Sequence, residues 1–462
     1  MQSQPRVLLT TAYRNGPLYD YFGSNIGHTP LRLSGPRPIS LGLRFIKQNV
    51  PGVEILEMPT AEQYQSALKR GWDVVGISFY LDETARALEM VGKAREAGVS
   101  EVWGGNYGVL TPEARPHFDR IFQGYAESQI AEALGGRLES LVHPPLLVPF
   151  GMPLLKIVRY GLLFTTRGCS FGCTFCQTPA FAPKPSIIPL ESIQRVLQCY
   201  ADHGVVDLII PDENFGIIPR HADEVTALLA KHRMLWTVMT RADFLVRNFD
   251  QWKSRGLAGV MIGIESLDQQ GLDGLQKRST MEGFHEAVDL CRKHGIVMVG
   301  FYMIGLESDT EESIRASVEK LRTMGFDLVQ MCVLTPLPQT PLGRHIEERY
   351  GINTEDYSQF DGKHLVWNHP NLSKEQIERL LHWSFRVLYP NTNFARSLLK
   401  HAKSHARRIG PWRAVPCLIG NVLKLNLQPF RQLPFLINGQ EMVALPGPEA
   451  LSPENATIRP AV

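Results

Sequence analysis

A chain of 462 residues, 44% hydrophobic and 20% charged, has the composition of a soluble globular protein and is too long for one ordinary core, so two or three domains are expected. A formal net charge of +2 excludes a broad electrostatic pull toward nucleic acid, and seven cysteines over this length exclude a disulfide framework. No apolar run approaches the ~20 residues of a membrane span, and residues 1–9 lack a signal-peptide pattern, which suits a cytoplasmic protein and leaves only a peripheral membrane contact open.

In chain order, a strand starts at residues 7–9, a helix is expected over 41–49, a strand over 53–56 and a helix over 61–70. Residues 73–80 form a continuous apolar run fit for a strand buried on both faces. A helix over 83–97, a strand over 99–103 ending in Gly104-Gly105, a strand over 120–124 and a helix from Glu127 complete the first domain, 1–142. The alternation predicts an α/β fold with a doubly wound Rossmann-like sheet, whose ligands sit beyond the carboxyl ends of the strands. Pro144, Pro145, Pro149 and Pro153 predict a linker over 143–156.

Strand patterns then recur at 162–166, 208–211, 236–240, 259–265, 297–304 and 328–334, with helical stretches between them. They predict a partial (β/α)6 TIM-type barrel over 157–345, with functional groups at the carboxyl strand ends. The last part, 346–445, is expected to be mainly helical. Residues 374–389 carry Ile377, Leu380, Leu381, Phe385 and Leu388 on one side, and 395–408 form a second, basic helix. The composition of 446–462 predicts a mobile tail. His382, Trp383, Arg386, His401, Lys403, His405, Arg407, Arg408 and Trp412 make this region basic and aromatic. It reads as a solvated helix face packed by its apolar stripe, or else as a surface for an anionic membrane or acidic substrate.

Directly after the first barrel strand comes Arg167-Gly168-Cys169-Ser170-Phe171-Gly172-Cys173-Thr174-Phe175-Cys176. Three thiolates in a C-x3-C-x2-C spacing can hold three irons of a [4Fe–4S] cluster and leave the fourth iron open to a small molecule. The competing reading is zinc, which prefers four ligands; no second cysteine pair or Cys–His set lies nearby. Cys199 and Cys291 fall in helix patterns and read as core. Cys332 lies on the last barrel strand, facing either core or cavity.

This motif, with Phe175 before its last cysteine, resembles the signature of radical S-adenosylmethionine (SAM) enzymes. The resemblance continues through Leu208-Ile209-Ile210-Pro211-Asp212-Glu213-Asn214-Phe215, Thr240-Arg241-Ala242-Asp243, Gly263-Ile264-Glu265-Ser266 and Gly300-Phe301-Tyr302-Met303-Ile304-Gly305. It implies that Cys169, Cys173 and Cys176 hold the cluster. It also implies that Phe175, Asp212, Glu213, Arg241, Glu265, Ser266 and Gly305 border S-adenosyl-L-methionine, with Asp212 and Glu265 as acceptors for ribose hydroxyls or the ammonium.

The first domain resembles the cobalamin-binding domain that precedes the barrel in one large subfamily. The matching pieces are Val75-Gly76-Ile77-Ser78, Gly104-Gly105 and Gly124-Tyr125-Ala126-Glu127. The resemblance implies that Ser78, Tyr80, Gly104, Gly105, Asn106 and Tyr107 line cobalamin. The loop from Thr10 to Gly16 lacks the D-x-H-x-x-G motif, so it offers cobalt no histidine. No cysteine precedes Cys169, which sets the chain apart from methylthiotransferases.

The implied activity is C-methylation of an unactivated carbon through a 5′-deoxyadenosyl radical and methylcobalamin. The alternatives are a non-methylating oxidation, cyclisation or rearrangement with the same cofactors, and a non-catalytic iron–sulfur protein. The implied partners are a small-molecule or lipid-like substrate and a one-electron donor such as flavodoxin or ferredoxin.

Overall fold

The computed structural model describes residues 5–13, 40–152 and 155–388. Two parallel sheets organise the chain. In the first, β1 (Val7–Thr11), β2 (Val53–Leu56), β3 (Val74–Ser78), β4 (Glu101–Gly105) and β5 (Arg120–Phe122) run in the order β2-β1-β3-β4-β5. Successive strand side chains alternate between two apolar layers. Leu8, Val75, Ile77 and Val102 pack on Tyr64, Met90 and Ala94 on one face, and Val7, Leu9, Val74 and Trp103 pack with Leu43, Ile46 and Ile130 on the other. This is the doubly wound arrangement expected from the alternation. Its strand order reverses between β1 and β3, which places a ligand crevice at the carboxyl ends there.

The second sheet begins with β6 (Leu146–Met152) and β7 (Leu155–Leu162). Two short strands, β8 (Thr166–Arg167) and β9 (Ser186–Ile187), pair with each other. Then follow β10 (Asp207–Ile210), β11 (Leu235–Met239), β12 (Leu257–Glu265), β13 (Val297–Ile304) and β14 (Leu328–Val333). The order is β14-β13-β12-β11-β10-β7-β6. Six strands are parallel, as the partial barrel requires, and β6 adds antiparallel to β7.

One face of this sheet is sealed. Trp236, Val238, Val260, Ile262, Met298, Val329 and Met331 are buried with the helical residues Val196, Val225, Leu245, Ala287 and Val318. The opposite, inner face is half-buried along its length, at Leu162, Ile209, Thr237, Met239, Met261, Val299, Phe301, Gln330 and Cys332. A closed barrel fills its interior with side chains; here the inner face keeps accessible, mostly apolar surface.

Two expectations need correction. The linker over 143–156 is a strand of the barrel sheet through most of its length. Pro149 is tolerated because β6 is the edge strand, where a missing N–H breaks no central ladder. The first barrel strand also ends at Leu162 instead of running over 162–166. Phe45 and Leu81 of the first domain join the barrel's core, so the two units share packing.

The helix Lys374–Leu388 buries the predicted stripe of Ile377, Leu380, Leu381, Phe385 and Leu388, and it packs on the helix Glu311–Met324 and on β14. His382 and Arg386 lie on its exposed side. The second basic helix, the rest of the basic stretch and the tail lie outside the described residues. Among the described residues no helix is long and apolar enough to cross a membrane.

Candidate active site

The three-cysteine loop leaves the carboxyl side of the barrel sheet and is tied down at both ends. Gly168 adopts φ 80°, and a Cβ there would lie 2.7 Å from the Ala182 carbonyl, so glycine is required for this close approach. The Cys169 N–H donates to that carbonyl at 3.2 Å, and β8 and β9 pair just outside the two ends. Inside the loop, the Cys176 N–H donates to Cys173 O at 3.2 Å, and the Thr178 N–H reaches Cys176 Sγ at 3.4 Å. Thr174 anchors the loop from below: its N–H donates to Leu275 O at 3.0 Å, and its carbonyl accepts the Leu342 N–H at 2.9 Å.

All three cysteines are half-buried. Burial pushes the Cys169 and Cys173 thiols up from their ordinary value, and the neighbouring cysteine sulfurs push them the same way. For Cys173 the positive charges of Lys277 and Arg241 oppose that rise. Three thiols within electrostatic reach of one another, with an N–H aimed at one sulfur, form a donor set suited to one iron per thiolate. Among the described residues no three His, Cys, Asp or Glu side chains, the loop cysteines included, converge on a single point where one metal ion could sit.

Lys277 was not among the residues singled out from sequence. Its ammonium pairs with Glu265 at 2.6 Å, and each side chain is 10% exposed. Both members sit on unusual backbone. Glu265 has φ 63° where β12 loses register with β13, and Lys277 lies between Gln276 (φ 48°) and Arg278 (φ 54°). Left-handed non-glycine residues carry strain that the surroundings must hold. Arg241 does the holding, donating at 2.6 Å to the carbonyls of both Lys277 and Arg278 while its guanidinium stacks 4.2 Å from the Phe171 ring of the cysteine loop. Gly263 makes room for the pair, since a Cβ there would lie 2.3 Å from Glu265 Oε1 and 2.4 Å from Lys277 Nζ. Lys277→Met should destabilise the barrel by about 3–5 kcal/mol by leaving a buried carboxylate unpaired. The double variant Lys277→Met/Glu265→Gln should recover most of that loss, as read from denaturant midpoints.

The other residues expected around SAM divide into two groups. Phe175 packs against the barrel core beside Lys277, and Glu213 accepts the Gly168 N–H at 3.1 Å, so both border the loop. Asp212, Arg241, Ser266 and Gly305 are engaged within the protein. Asp212 is fully buried and accepts from the N–H and hydroxyl of both Thr165 and Thr166, which corrects its assignment as a ribose or ammonium acceptor. The Ser266 hydroxyl donates to Asp268, the cap of the next helix, and the Gly305 N–H donates to Asp309. Asn214, two residues beyond Asp212, is 3% exposed, and its side-chain nitrogen and oxygen meet no partner. A buried amide in that state calls for a polar ligand or water. Cys332 lies on the half-buried inner face, and burial pushes its thiol up to about 12.

At the carboxyl edge of the first sheet, Ser78 and Gly105 are register partners, and Asn106 turns the chain with φ 72°. A Cβ on Gly105 would meet nothing nearer than 3.9 Å, so ligand-side space exists there. Gly104 differs: a Cβ would lie 2.9 Å from the Phe118 ring, so this glycine serves internal packing and not the close approach of a macrocycle. Tyr80, 38% exposed, stacks nearly parallel on Tyr107 at 6.2 Å. Tyr107 in turn stacks on Phe181 at 4.2 Å, with its hydroxyl 3.5 Å from Thr178 Oγ1. The rim expected to hold a corrinoid therefore abuts the cysteine loop. A half-buried edge with open space over Gly105 and an exposed aromatic plate suits a large flat ligand.

Known proteins resemble this chain in sequence and in fold. Residues 163–321 match the model of the radical SAM superfamily. The bacteriochlorophyllide d C-8(2)-methyltransferase of Chlorobaculum tepidum is 25% identical over 350 residues, covering 69% of this chain and 76% of that protein. The hopanoid C-3 methylase of Methylococcus capsulatus is 30% identical over 210 residues, covering 44% of this chain and 39% of that one. Among solved structures, the radical SAM methyltransferase TsrM from Kitasatospora setae, with cobalamin and a [4Fe–4S] cluster bound, superposes with a TM-score of 0.61. That match has 16% identity and covers 91% of this chain and 99% of TsrM. At this identity the likeness establishes a shared fold.

Proposed function

We propose that the chain, whose residues 163–321 match the radical SAM superfamily, is a cobalamin-dependent C-methyltransferase acting on an unactivated carbon of a small-molecule or lipid-like substrate. The observation that carries the reading is the abutment of the two sites: the Tyr80–Tyr107 rim of the first sheet meets the cysteine loop of the second through Phe181 and Thr178. Cys169, Cys173 and Cys176 would hold the cluster. Ser78, Tyr80, Gly105, Asn106 and Tyr107 would hold the corrinoid, and Phe175, Glu213, Glu265 and Asn214 would border SAM. When bound, these groups supply one-electron cleavage of a sulfonium and a transferable methyl group.

The protein's part is placement. The Thr178 N–H is aimed at Cys176 Sγ, and the charges of Lys277 and Arg241 oppose the rise that burial imposes on the Cys173 thiol. Phe175 covers the loop from the core side. The inner face, with Ile209, Met239, Met261, Val299 and Phe301, gives apolar lining that excludes water from a reactive radical and accepts a hydrocarbon portion of the substrate. A flavodoxin or ferredoxin in the cytoplasm would deliver the electron.

The test is anaerobic reconstitution with iron, sulfide and hydroxocobalamin, followed by SAM and a strong reductant. The expected result is 5′-deoxyadenosine together with a bound corrinoid spectrum; with substrate, it is S-adenosylhomocysteine and a product heavier by one methyl group. A fully loaded cluster that leaves SAM uncleaved would overturn the proposal, and a product without added methyl would move the chemistry to the non-methylating alternative.

A further inference from the structure

We propose that Glu127 and Tyr125 of the first domain are positioning residues for the cysteine loop, so that the cluster site is complete only when the two domains are docked. The Arg167 guanidinium lies two residues before Cys169 and makes a two-pronged ion pair with Glu127, at 2.7 and 3.0 Å, with side chains 6% and 5% exposed. Its faces are covered by Phe45 and Tyr125, each ring centroid 4.3 Å away. The Tyr125 hydroxyl donates to Glu213, whose other oxygen accepts the N–H of Gly168. The two residues leading into Cys169 are therefore fixed by side chains from the other domain.

The same segment grips the far end of the loop. Gln123 Nε2 donates to the Ala180 carbonyl at 2.7 Å. Gly124, at φ 88°, passes so close that a Cβ would lie 2.9 Å from Phe181 O. Residues 123–127 thus span both ends of the loop, while a surface pair such as Arg70–Glu54 in the same domain touches neither. A buried bidentate ion pair is a costly way to gain stability alone. Its geometry is directional, however, and a fixed guanidinium plane sets the direction in which the chain leaves toward Cys169.

The inference rests on the cluster reading of the three cysteines, which the unmodified chain tests separately through its iron content. The experiment compares Glu127→Gln, Tyr125→Phe and, as a control, Leu8→Ala, which weakens the first domain from its core. Each full-length variant is reconstituted anaerobically and measured for iron and sulfide per chain, for the electron paramagnetic resonance spectrum of the reduced cluster with and without SAM, and for folding by circular dichroism. Glu127→Gln should lose roughly tenfold in cluster retention, the scale seen when groups supporting metal ligands are removed. Tyr125→Phe keeps the ring over Arg167 and should load iron but show a shifted spectrum. Leu8→Ala should melt earlier and give the unmodified spectrum. If Glu127→Gln fails to fold, Tyr125→Phe against Leu8→Ala decides. Glu127→Gln and Tyr125→Phe proteins that are folded, fully loaded and spectroscopically superimposable on the parent would overturn the inference. A parent chain that binds no iron would overturn the cluster reading itself.

Discussion

Cys173→Ala should abolish cluster loading and reduce 5′-deoxyadenosine formation to background, while the protein remains folded. Cys173 contributes one of only three thiols on the loop, and a cluster with two protein ligands is not held. The fold should change little, because the side chain is half-buried and the loop is anchored through backbone bonds of Cys169, Thr174 and Cys176 that alanine leaves intact. A shift in unfolding free energy of about 1 kcal/mol is the ordinary scale for such a site. The first domain has its own two apolar layers, so corrinoid uptake by the variant should persist. Iron analysis, circular dichroism and the visible spectrum of added cobalamin check the three parts. Loss of corrinoid uptake would show that the shared packing through Phe45 and Leu81 governs the first domain as well.

Above pH 7, where the carboxyl is ionised, Asp212→Asn should lower stability by about 3 kcal/mol. The carboxylate faces four donors and no acceptor. An amide group turns one of the two oxygens into a donor, leaving buried N–H and O–H groups of Thr165 and Thr166 without acceptors. Those threonines lead into Arg167 and Gly168, so the error propagates to the cysteine loop and iron retention should fall as well. The variant has a second signature. Burial raises the Asp212 carboxyl from 3.8 to about 7 against the opposing pull of its hydrogen bonds. The folded chain therefore keeps a proton that the unfolded chain has released, and this group's contribution to stability declines as pH rises from about 4 to about 7 and is level above that. Asparagine does not titrate, so the stability–pH curve of the variant should be flatter in that window.

Much of this architecture is legible in the amino-acid sequence. Strands buried on both faces declare themselves as apolar runs, and Val297–Ile304 has the expected limits. The cysteine spacing was legible because three thiols so close together have few chemical uses. Other features were hidden for physical reasons. Pro149, among four prolines between 143 and 154, marks a break unless its strand lies at a sheet edge, and edge position is a tertiary fact. A carboxylate after a strand reads the same whether it faces a ligand or a backbone N–H, so Asp212 was assigned to the wrong partner. Lys277 carries no mark in the sequence, since nothing local signals that its carbonyl and that of the left-handed Arg278 are held by a distant arginine. Gly124-Tyr125-Ala126-Glu127 was read as a piece of the corrinoid domain, but its side chains point to the other unit's loop.

The closure of the cysteine loop by Gly168, Cys169 and Ala182, with β8 and β9 zipped outside it, has a thermodynamic corollary. In small metal-dependent domains, coordination supplies the free energy that orders the chain, and a chelator melts them. Here ordinary peptide hydrogen bonds at Cys169, Thr174 and Cys176 tie the loop to its surroundings, so its ordering does not rest on coordination alone. Oxidative loss of iron should then strip the catalyst without denaturing its carrier, and the same molecule should accept a replacement without refolding.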